Sequence, residues 1–189
     1  KKASKALIVI SENNSAYNDD SDKNSSFLFG DGAAAVFVTN EKYSIYDIEV
    51  LDVNTTGLGH IGKSMDAVYV RPNNGGIRMP FGKDVFQNAC IYMIREAEQI
   101  LNKNNISLNQ VKYFVPHQAN ARITDFVANK LNLEPSRVLT NIEQFGNTGS
   151  ASTPIVLSQN MGKYKQNDII VISVFGGGYS SGAVLLKKL

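Results

Sequence analysis

The spacing of hydrophobic positions predicts strands and helices that alternate along most of the chain. Short apolar or alternating runs are typical of strands, and they fall at 5–11, 27–40, 43–53, 111–115, 137–142, 168–175 and 181–189. Longer segments with apolar residues three and four positions apart predict helices, at 84–102, 120–131 and 153–163. Two long polar segments, 12–26 and 54–76, predict loops.

The order of these elements predicts the fold class. From residue 43 onward, strands and helices alternate and the chain closes with two strands. Such a pattern predicts an α/β fold with a mostly parallel sheet covered by helices. The closing strands are joined by "FGGGYSSG", which predicts an antiparallel pair at the sheet edge. Residues 5–39 contain two predicted strands and no helix, so they do not fit the same unit.

Composition and charge exclude several classes of protein. The formal net charge of +2 is too small to indicate a polyanion partner, and no Lys/Arg run tracks aromatic residues, so nucleic acid is not expected. No apolar run reaches the roughly 20 residues that a membrane span needs. The basic N-terminal segment is interpreted as a buried strand, not a signal peptide, because its apolar run covers only residues 6–10. A single cysteine excludes an intrachain disulfide, and the cytoplasm is the expected location.

Some isolated reactive residues have simpler interpretations. Asp19, Asp20 and Asp22 suggest calcium, but no glycine or distal glutamate completes a calcium loop, so a solvated loop and no metal site are expected. His60 is interpreted as a loop histidine. Cys90 lies in the apolar stripe of the first helix, which favours a core cysteine over a nucleophile.

Three polar stretches fall at predicted strand ends or helix starts, where α/β proteins place their sites: "VPHQAN", "FGNTGSAST" and "FGGGYSSG". His117 can donate or accept a hydrogen bond, and Asn147 offers an NH2 donor. The glycines at 176–178 let a ligand approach a backbone N–H closely. Such donors suit a developing oxyanion. The alternative is a capped helix start and a tight turn with no joint site.

Together with "FGDGAAAVFV" and "MPFGKDVFQNA", these stretches resemble the second half of β-ketoacyl-acyl carrier protein synthase III. The resemblance implies a thiolase-like α/β fold for residues 41–189, a three-layer half with a mixed five-stranded sheet and covering helices. Residues 1–40 would be the last two strands of a truncated N-terminal half. The family's cysteine nucleophile would lie outside this sequence, because Cys90 does not occupy its place.

The resemblance also implies a reaction, a decarboxylating Claisen condensation of an acyl group from acyl-CoA with malonyl-acyl carrier protein that initiates fatty acid synthesis. His117 and Asn147 would bind the malonyl thioester oxygen, and the N–H of Gly177 would complete an oxyanion hole. Residues implied to meet pantetheine or the carrier protein are Gln118, Ala119, Asn120, Ala121 and Arg122. Coenzyme A thioesters would be substrates, no cofactor would be bound permanently, and a homodimer is expected.

Three departures from the family pattern bear on substrate choice. Ala34 replaces a common glycine, Gly149-Ser150 stands where Ser-Ala is usual, and Ser181 stands where tryptophan is common. One alternative is therefore a specialised ketosynthase of secondary metabolism. Another is a non-catalytic subunit that pairs with a cysteine-bearing partner. The 189 residues alone are expected to be inactive, because none takes the nucleophile's place.

Overall fold

The main sheet holds four strands in the computed structural model, which describes residues 3–23, 25–71 and 76–189. Their order is β3 (Ile48–Gly57), β8 (Ser180–Lys188), β7 (Ile169–Gly176) and β6 (Val111–Pro116). β6 and β7 are parallel, whereas β8 is antiparallel to both β7 and β3. The closing strand thus lies inside the sheet and not at its edge. The expectation of a mostly parallel sheet is wrong, since only one neighbouring pair is parallel.

The predicted strand at 137–142 does not form. Its only sheet contact is an isolated bridge between Phe114 and Val138, with the Leu139 N–H donating to the Phe114 carbonyl at 2.9 Å. A 3₁₀ turn, Pro135–Arg137, precedes it, and a helix begins at Ile142, so too few extended residues remain. The described part of the main sheet therefore has four strands where five were predicted.

The described residues form four α-helices: α1 (Gly82–Lys103), α2 (Ala121–Lys130), α3 (Ile142–Phe145) and α4 (Ser152–Gln159). The predicted helices at 84–102 and 120–131 are confirmed to within two residues. The third is shorter than predicted, because it gives way at Asn160 to a 3₁₀ turn, Met161–Lys163. None of the helices in the described ranges is both long and apolar enough to cross a membrane.

The main sheet buries apolar residues on both faces. Alternate residues of β7 point to opposite sides, as strand geometry requires. Val171 packs in one cluster with Met93 and Ala97 of α1, while Ile170 packs in a second cluster with Val156 of α4. Helices therefore cover both faces of the sheet, which gives the predicted layered α/β arrangement.

The remaining strands form two small antiparallel sheets. β1 (Lys5–Glu12) pairs with β2 (Gly32–Thr39). β4 (Tyr69–Arg71) lies inside the predicted loop 54–76 and pairs with β5 (Gly76–Arg78), which begins at the last residue of that loop. Residues 72–75 of that loop lie outside the described residues. The run at 5–11 was predicted to be a buried strand, but Leu7 and Val9 are 65% and 69% exposed. Nothing in the described ranges covers these side chains, so the prediction of burial is wrong here.

Candidate functional site

The ends of two parallel strands bring His117 and Gly177 to one edge of the main sheet. β6 ends at Pro116 and β7 ends at Gly176, so the next residue of each chain segment lies at the same edge. The backbone N–H of His117 donates to the carbonyl of Ser173 at 2.9 Å, which extends the β6–β7 pairing by one residue. Active sites of open α/β sheets lie at such carboxyl ends.

Asn147 reaches this edge through a backbone pairing with a distant segment. Its N–H donates to the Leu28 carbonyl at 2.7 Å, and its carbonyl accepts from the Gly30 N–H at 3.0 Å. The side-chain oxygen accepts from the Gly149 N–H at 3.0 Å. This bond fixes the orientation of the amide and leaves its NH2 group as a donor, with no hydrogen bond to another described residue.

His117, Asn147 and Gly177 line one pocket of about 670 Å³. An adjoining cavity of about 70 Å³ is lined by the same three residues together with Phe175 and Tyr179. The structure therefore brings the three donors predicted from the sequence to one pocket. The alternative of separate caps and turns accounts for the bond to Gly149 but not for the convergence of all three.

The His117 ring forms a hydrogen bond with its neighbour Ser152. The Nδ1 atom lies 2.8 Å from the Ser152 hydroxyl oxygen, which also accepts a hydrogen bond from the Gln118 N–H at 3.4 Å. Where the hydroxyl donates its proton to Nδ1, the neutral imidazole carries its own proton on Nε2, and Nε2 is then a hydrogen-bond donor.

Burial keeps His117 uncharged at neutral pH. Removal from water lowers the pKa of the imidazole to about 4, and the negative charge of Glu12 opposes this shift only in part. At pH 7 the ring is therefore a neutral donor rather than a cation. A neutral imidazole N–H can still donate a hydrogen bond to an enolate oxygen and stabilise it.

The N–H of Gly177 is a third donor at this edge. Gly177 opens the turn between β7 and β8, and its N–H makes no hydrogen bond to another residue in the described ranges. The turn contains two left-handed residues, Gly178 with φ 71° and Tyr179 with φ 53°. A left-handed non-glycine residue is uncommon and often marks a functional site.

The residues after His117 divide into buried and accessible ones. Gln118 is fully buried, and its side chain bonds Pro116, Thr140 and Asn141. It offers no surface to pantetheine or a carrier protein, so its predicted binding role is wrong and its role is structural. Ala119 lines the smaller cavity, whereas Ala121 and Arg122 are exposed.

Asn120 has a local role that the sequence pattern allows. Its side-chain oxygen accepts from the Arg122 N–H at 2.9 Å, which caps the start of α2. It is half-buried and lies outside the linings of both pockets. The capping bond uses the oxygen and leaves the NH2 group for a ligand.

Two residues that support the site were missed in the sequence. Ser152 contacts His117, and Glu12 at the end of β1 accepts from the Ser150 N–H at 2.9 Å. Glu12 thereby ties the small β1–β2 sheet to the loop that carries Asn147. Ser152 stands in a polar stretch already noted, but its contact to His117 spans 35 residues. No local spacing rule reports such a distance.

Cys90 lies in the core, as predicted. It is 3% exposed and packs with Met93 and other residues of α1 against the sheet. Burial raises the pKa of its thiol to about 11, so almost no thiolate exists at neutral pH. The residue lines neither pocket. The only cysteine of the sequence is therefore unsuited to act as a nucleophile at this site.

Two family matches cover most of the chain. Residues 1–57 match the family "3-Oxoacyl-[acyl-carrier-protein (ACP)] synthase III", and residues 101–188 match "3-Oxoacyl-[acyl-carrier-protein (ACP)] synthase III C terminal". The matches fall at both ends of the chain, so they do not support its description as a C-terminal half alone.

Individual relatives agree with these matches. β-Ketoacyl-[acyl-carrier-protein] synthase III from Porphyromonas gingivalis is 35% identical over 97% of this chain and 57% of its own length. The corresponding protein from Aquifex aeolicus is 36% identical over 98% of this chain and 58% of its own. The chain thus spans under two thirds of the length of these relatives.

Solved structures show the same fold. The crystal structure of 3-oxoacyl-[acyl-carrier-protein] synthase III from Aquifex aeolicus superposes with a TM-score of 0.88 at 35% identity, covering 98% of this chain and 58% of that one. The enzyme from Pseudomonas aeruginosa gives 0.86 at 31% identity, covering 97% and 58%. The expected thiolase-like α/β fold is confirmed, and the chain is similar to 3-oxoacyl-acyl-carrier-protein synthase III at both of its ends.

Proposed function

We propose that this chain supplies the enolate-stabilising part of a condensing enzyme. The enzyme would join an acyl group from acyl-CoA to malonyl-acyl carrier protein by decarboxylating Claisen condensation, as the first step of fatty acid synthesis. The observation that carries the proposal is the convergence of His117, Asn147 and Gly177 on one pocket. The similarity to these relatives supports it, because they are named for this activity.

The first two donors would act on the malonyl thioester. Loss of CO2 leaves an electron pair on the α-carbon, delocalised onto the thioester oxygen as an enolate. His117 Nε2–H and the Asn147 NH2 would both donate to that oxygen, where the negative charge develops. The carbanion would then attack the acyl thioester carbon, and the new carbon–carbon bond would form as the carbon–sulfur bond breaks and the nucleophile leaves as a thiolate.

Gly177 would act on the acyl group itself. Attack on a thioester carbonyl places negative charge on its oxygen, and the unpaired Gly177 N–H suits that charge. The nucleophile that carries the acyl group is proposed to lie outside these 189 residues, because Cys90 is a core residue with a raised pKa. On this basis the 189 residues alone should form no β-ketoacyl product.

The organisation and partners follow the same proposal. Residues 41–189 would form one thiolase half, and residues 1–40 would contribute two strands of the other. The separate β1–β2 sheet supports this division. Acyl carrier protein would dock near Arg122, Asn120 and Ala119 would line the path of its pantetheine arm, and coenzyme A thioesters would enter as substrates. A cytoplasmic homodimer with no permanent cofactor completes the proposal.

The test uses His117→Ala and Asn147→Ala in the protein at its natural length. Each change should slow malonyl decarboxylation by about 10²–10³-fold, because each removes one donor to the enolate. Acyl transfer from radiolabelled acyl-CoA to the enzyme should persist, since the enolate does not exist at that stage.

Cys90→Ser is the matched control and should change neither step. Decarboxylation at the wild-type rate in both alanine variants would contradict the assignment. Loss of activity in Cys90→Ser alone would show that the core cysteine takes part in the chemistry.

A further inference from the structure

The turn that carries Gly177 is held from one side by hydrogen bonds. The Leu58 N–H donates to the Tyr179 carbonyl at 2.7 Å, and the Ser64 hydroxyl donates to the Gly178 carbonyl at 3.0 Å. Both bonds come from the loop that follows β3. They fix the backbone of the two residues directly after Gly177.

A side-chain bond completes this attachment. The Tyr179 hydroxyl donates to Asp84 Oδ2 at 2.6 Å, and the same oxygen accepts from the Lys63 N–H at 2.9 Å. Asp84 lies in the first turn of α1, so one carboxylate joins the helix, the β3 loop and the Gly177 turn. These contacts hold the carboxylate ionised: the bond from Tyr179, followed by that from Lys63, lowers the pKa of Asp84.

The conformation of Tyr179 indicates why such an attachment is needed. Its φ of 53° lies in the left-handed region, which is strained for a residue that carries a Cβ atom. The side chain is 2% exposed, and its ring packs 4.9 Å from that of Phe175. A strained backbone at a site persists only where its surroundings hold it in place.

We propose that Tyr179 and Asp84 form a positioning pair that fixes the Gly177 N–H toward the acyl thioester oxygen. The inference rests on the proposed function of Gly177. Neither residue touches the reacting atoms; the pair acts by holding the turn. Tyr179 also lines the smaller cavity beside His117 and Asn147, so movement of its ring would reach the site directly.

The first test is Tyr179→Phe, which removes the hydroxyl and keeps the ring. With the protein at its natural length, the rate of acyl transfer per active site should fall roughly tenfold, since displacing an oxyanion donor costs less than deleting it. The KM for acyl-CoA should stay within about twofold of the wild-type value, because ground-state contacts are unchanged.

Tyr92→Phe is the matched control. The Tyr92 ring also stacks on Phe175, at 6.3 Å, but its hydroxyl makes no hydrogen bond to a described residue. This variant should keep the wild-type rate.

Asp84→Ala should slow acyl transfer, as Tyr179→Phe does. The double variant should be no slower than the more impaired single variant, because both changes break the same bond between Tyr179 and Asp84. Additive rate losses, or equal rates in Tyr179→Phe and Tyr92→Phe, would overturn the pairing.

A second measurement does not depend on activity. In protein labelled with ¹⁵N-glycine, the amide signal of Gly177 should shift or broaden in Tyr179→Phe and stay in place in Tyr92→Phe. If the Gly177 signal shifts in Tyr179→Phe but the wild-type protein has no synthase activity, the positioning pair is upheld and the proposed function is overturned. An unchanged Gly177 signal in Tyr179→Phe would overturn the positioning pair whatever the activity.

Discussion

At the scale of single residues, the site depends on a histidine that stays neutral because it is buried. The Ser152 hydroxyl forms a hydrogen bond with its Nδ1 atom, and desolvation lowers its pKa to about 4. Desolvation would weaken a general base, because it lowers the pKa of the imidazole. It suits a residue whose task is to donate a hydrogen bond from a neutral N–H group. The same shift links His117 to folding stability.

That linkage gives a prediction for His117→Gln. The unfolded histidine binds its proton with a pKa near 6.5, whereas the folded one does so near 4, so the unfolded state holds more protons between these values. The wild-type protein should therefore lose stability as the pH falls from about 6.5 to about 4, relative to His117→Gln, by at most about 1.4 kcal/mol per pH unit. Urea unfolding across this range measures the difference.

The second histidine provides the control for this experiment. His60 is exposed in a turn after β3 and lines neither pocket, so His60→Gln is the matched substitution outside the site. A difference between the wild-type protein and His117→Gln that stays flat from pH 7 to pH 4 would show that the folded histidine titrates normally.

Residue chemistry was predictable where it followed from strand ends, and not where it needed a tertiary contact. His117 and Gly177 follow parallel strands directly, so apolar runs in the sequence located both. Ser152, Glu12 and Asp84 act across long sequence separations through single hydrogen bonds. Serines and acids of this kind are common on any surface, and their spacing carries no signal.

At the scale of elements, the contact between α1 and β8 contains a buried polar pair. Glu96 is 1% exposed, and its Oε1 accepts from the Ser181 hydroxyl at 2.7 Å. Its Oε2 is buried without a hydrogen bond to any described residue. Ser181 stands where the resembled family commonly has tryptophan, so a polar pair occupies an interface that is otherwise apolar.

We expect Ser181→Ala to destabilise the fold by about 1–3 kcal/mol, because Glu96 then loses its only side-chain partner inside the core. The double variant Glu96→Leu with Ser181→Ala should recover that loss, since replacing both members of a buried polar pair is often neutral or stabilising. Thermal and urea unfolding of the four proteins in this cycle give the coupling energy.

Ser180→Ala is the comparison, because the neighbouring serine is exposed and its removal should change stability by less than about 0.5 kcal/mol. A Ser181→Ala protein as stable as the wild type would mean that Glu96 gains nothing from its hydroxyl partner.

Element boundaries show where sequence patterns reached their limit. The 3.6-residue periodicity of α1 located that helix well, because its buried residues recur at helical spacing from Ala89 to Leu101. The apolar run at 137–142 satisfied the strand pattern, yet it makes only the bridge from Val138 to Phe114. A short run bounded by turns reads alike in either state, and only the packing of its neighbours decides.

At the scale of the whole molecule, the β1–β2 sheet and the main sheet meet at the site. The β1–β2 sheet touches the Asn147 loop through Glu12, and the Asn14 side chain donates to the Gly30 carbonyl at 3.0 Å. Several apolar side chains of the β1–β2 sheet are exposed, while the main sheet is covered on both faces. The site thus lies where the covered main sheet meets the exposed β1–β2 sheet. Sequence patterns predict the strands of these sheets but not which of their faces are covered.

A cation also follows His117 closely in the chain, in the first turn of the next helix. Arg122 is exposed at the start of α2, and it makes no ion pair with any residue in the described ranges. A cation in the first turn is unfavourable for the helix, because the macrodipole is positive there. Its position five residues after His117 therefore indicates a role outside the helix.

We predict that Arg122→Ala weakens the use of malonyl-acyl carrier protein and that Arg122→Glu weakens it more, because the reversal adds repulsion of an acidic carrier. The expected change in kcat/KM is about 3- to 10-fold for alanine, in the range of a single exposed ion pair at an interface.

Lys130→Glu makes a comparable change of charge at the other end of α2, and it should have a smaller effect. Acylation from a small acyl-CoA should change little in all three variants. Added salt should narrow the gap between Arg122→Glu and the wild-type protein, since exposed charges are screened beyond about 8–10 Å at near-physiological ionic strength. If Arg122→Glu uses the carrier-bound substrate as well as the wild-type protein does, the carrier does not dock at this end of α2.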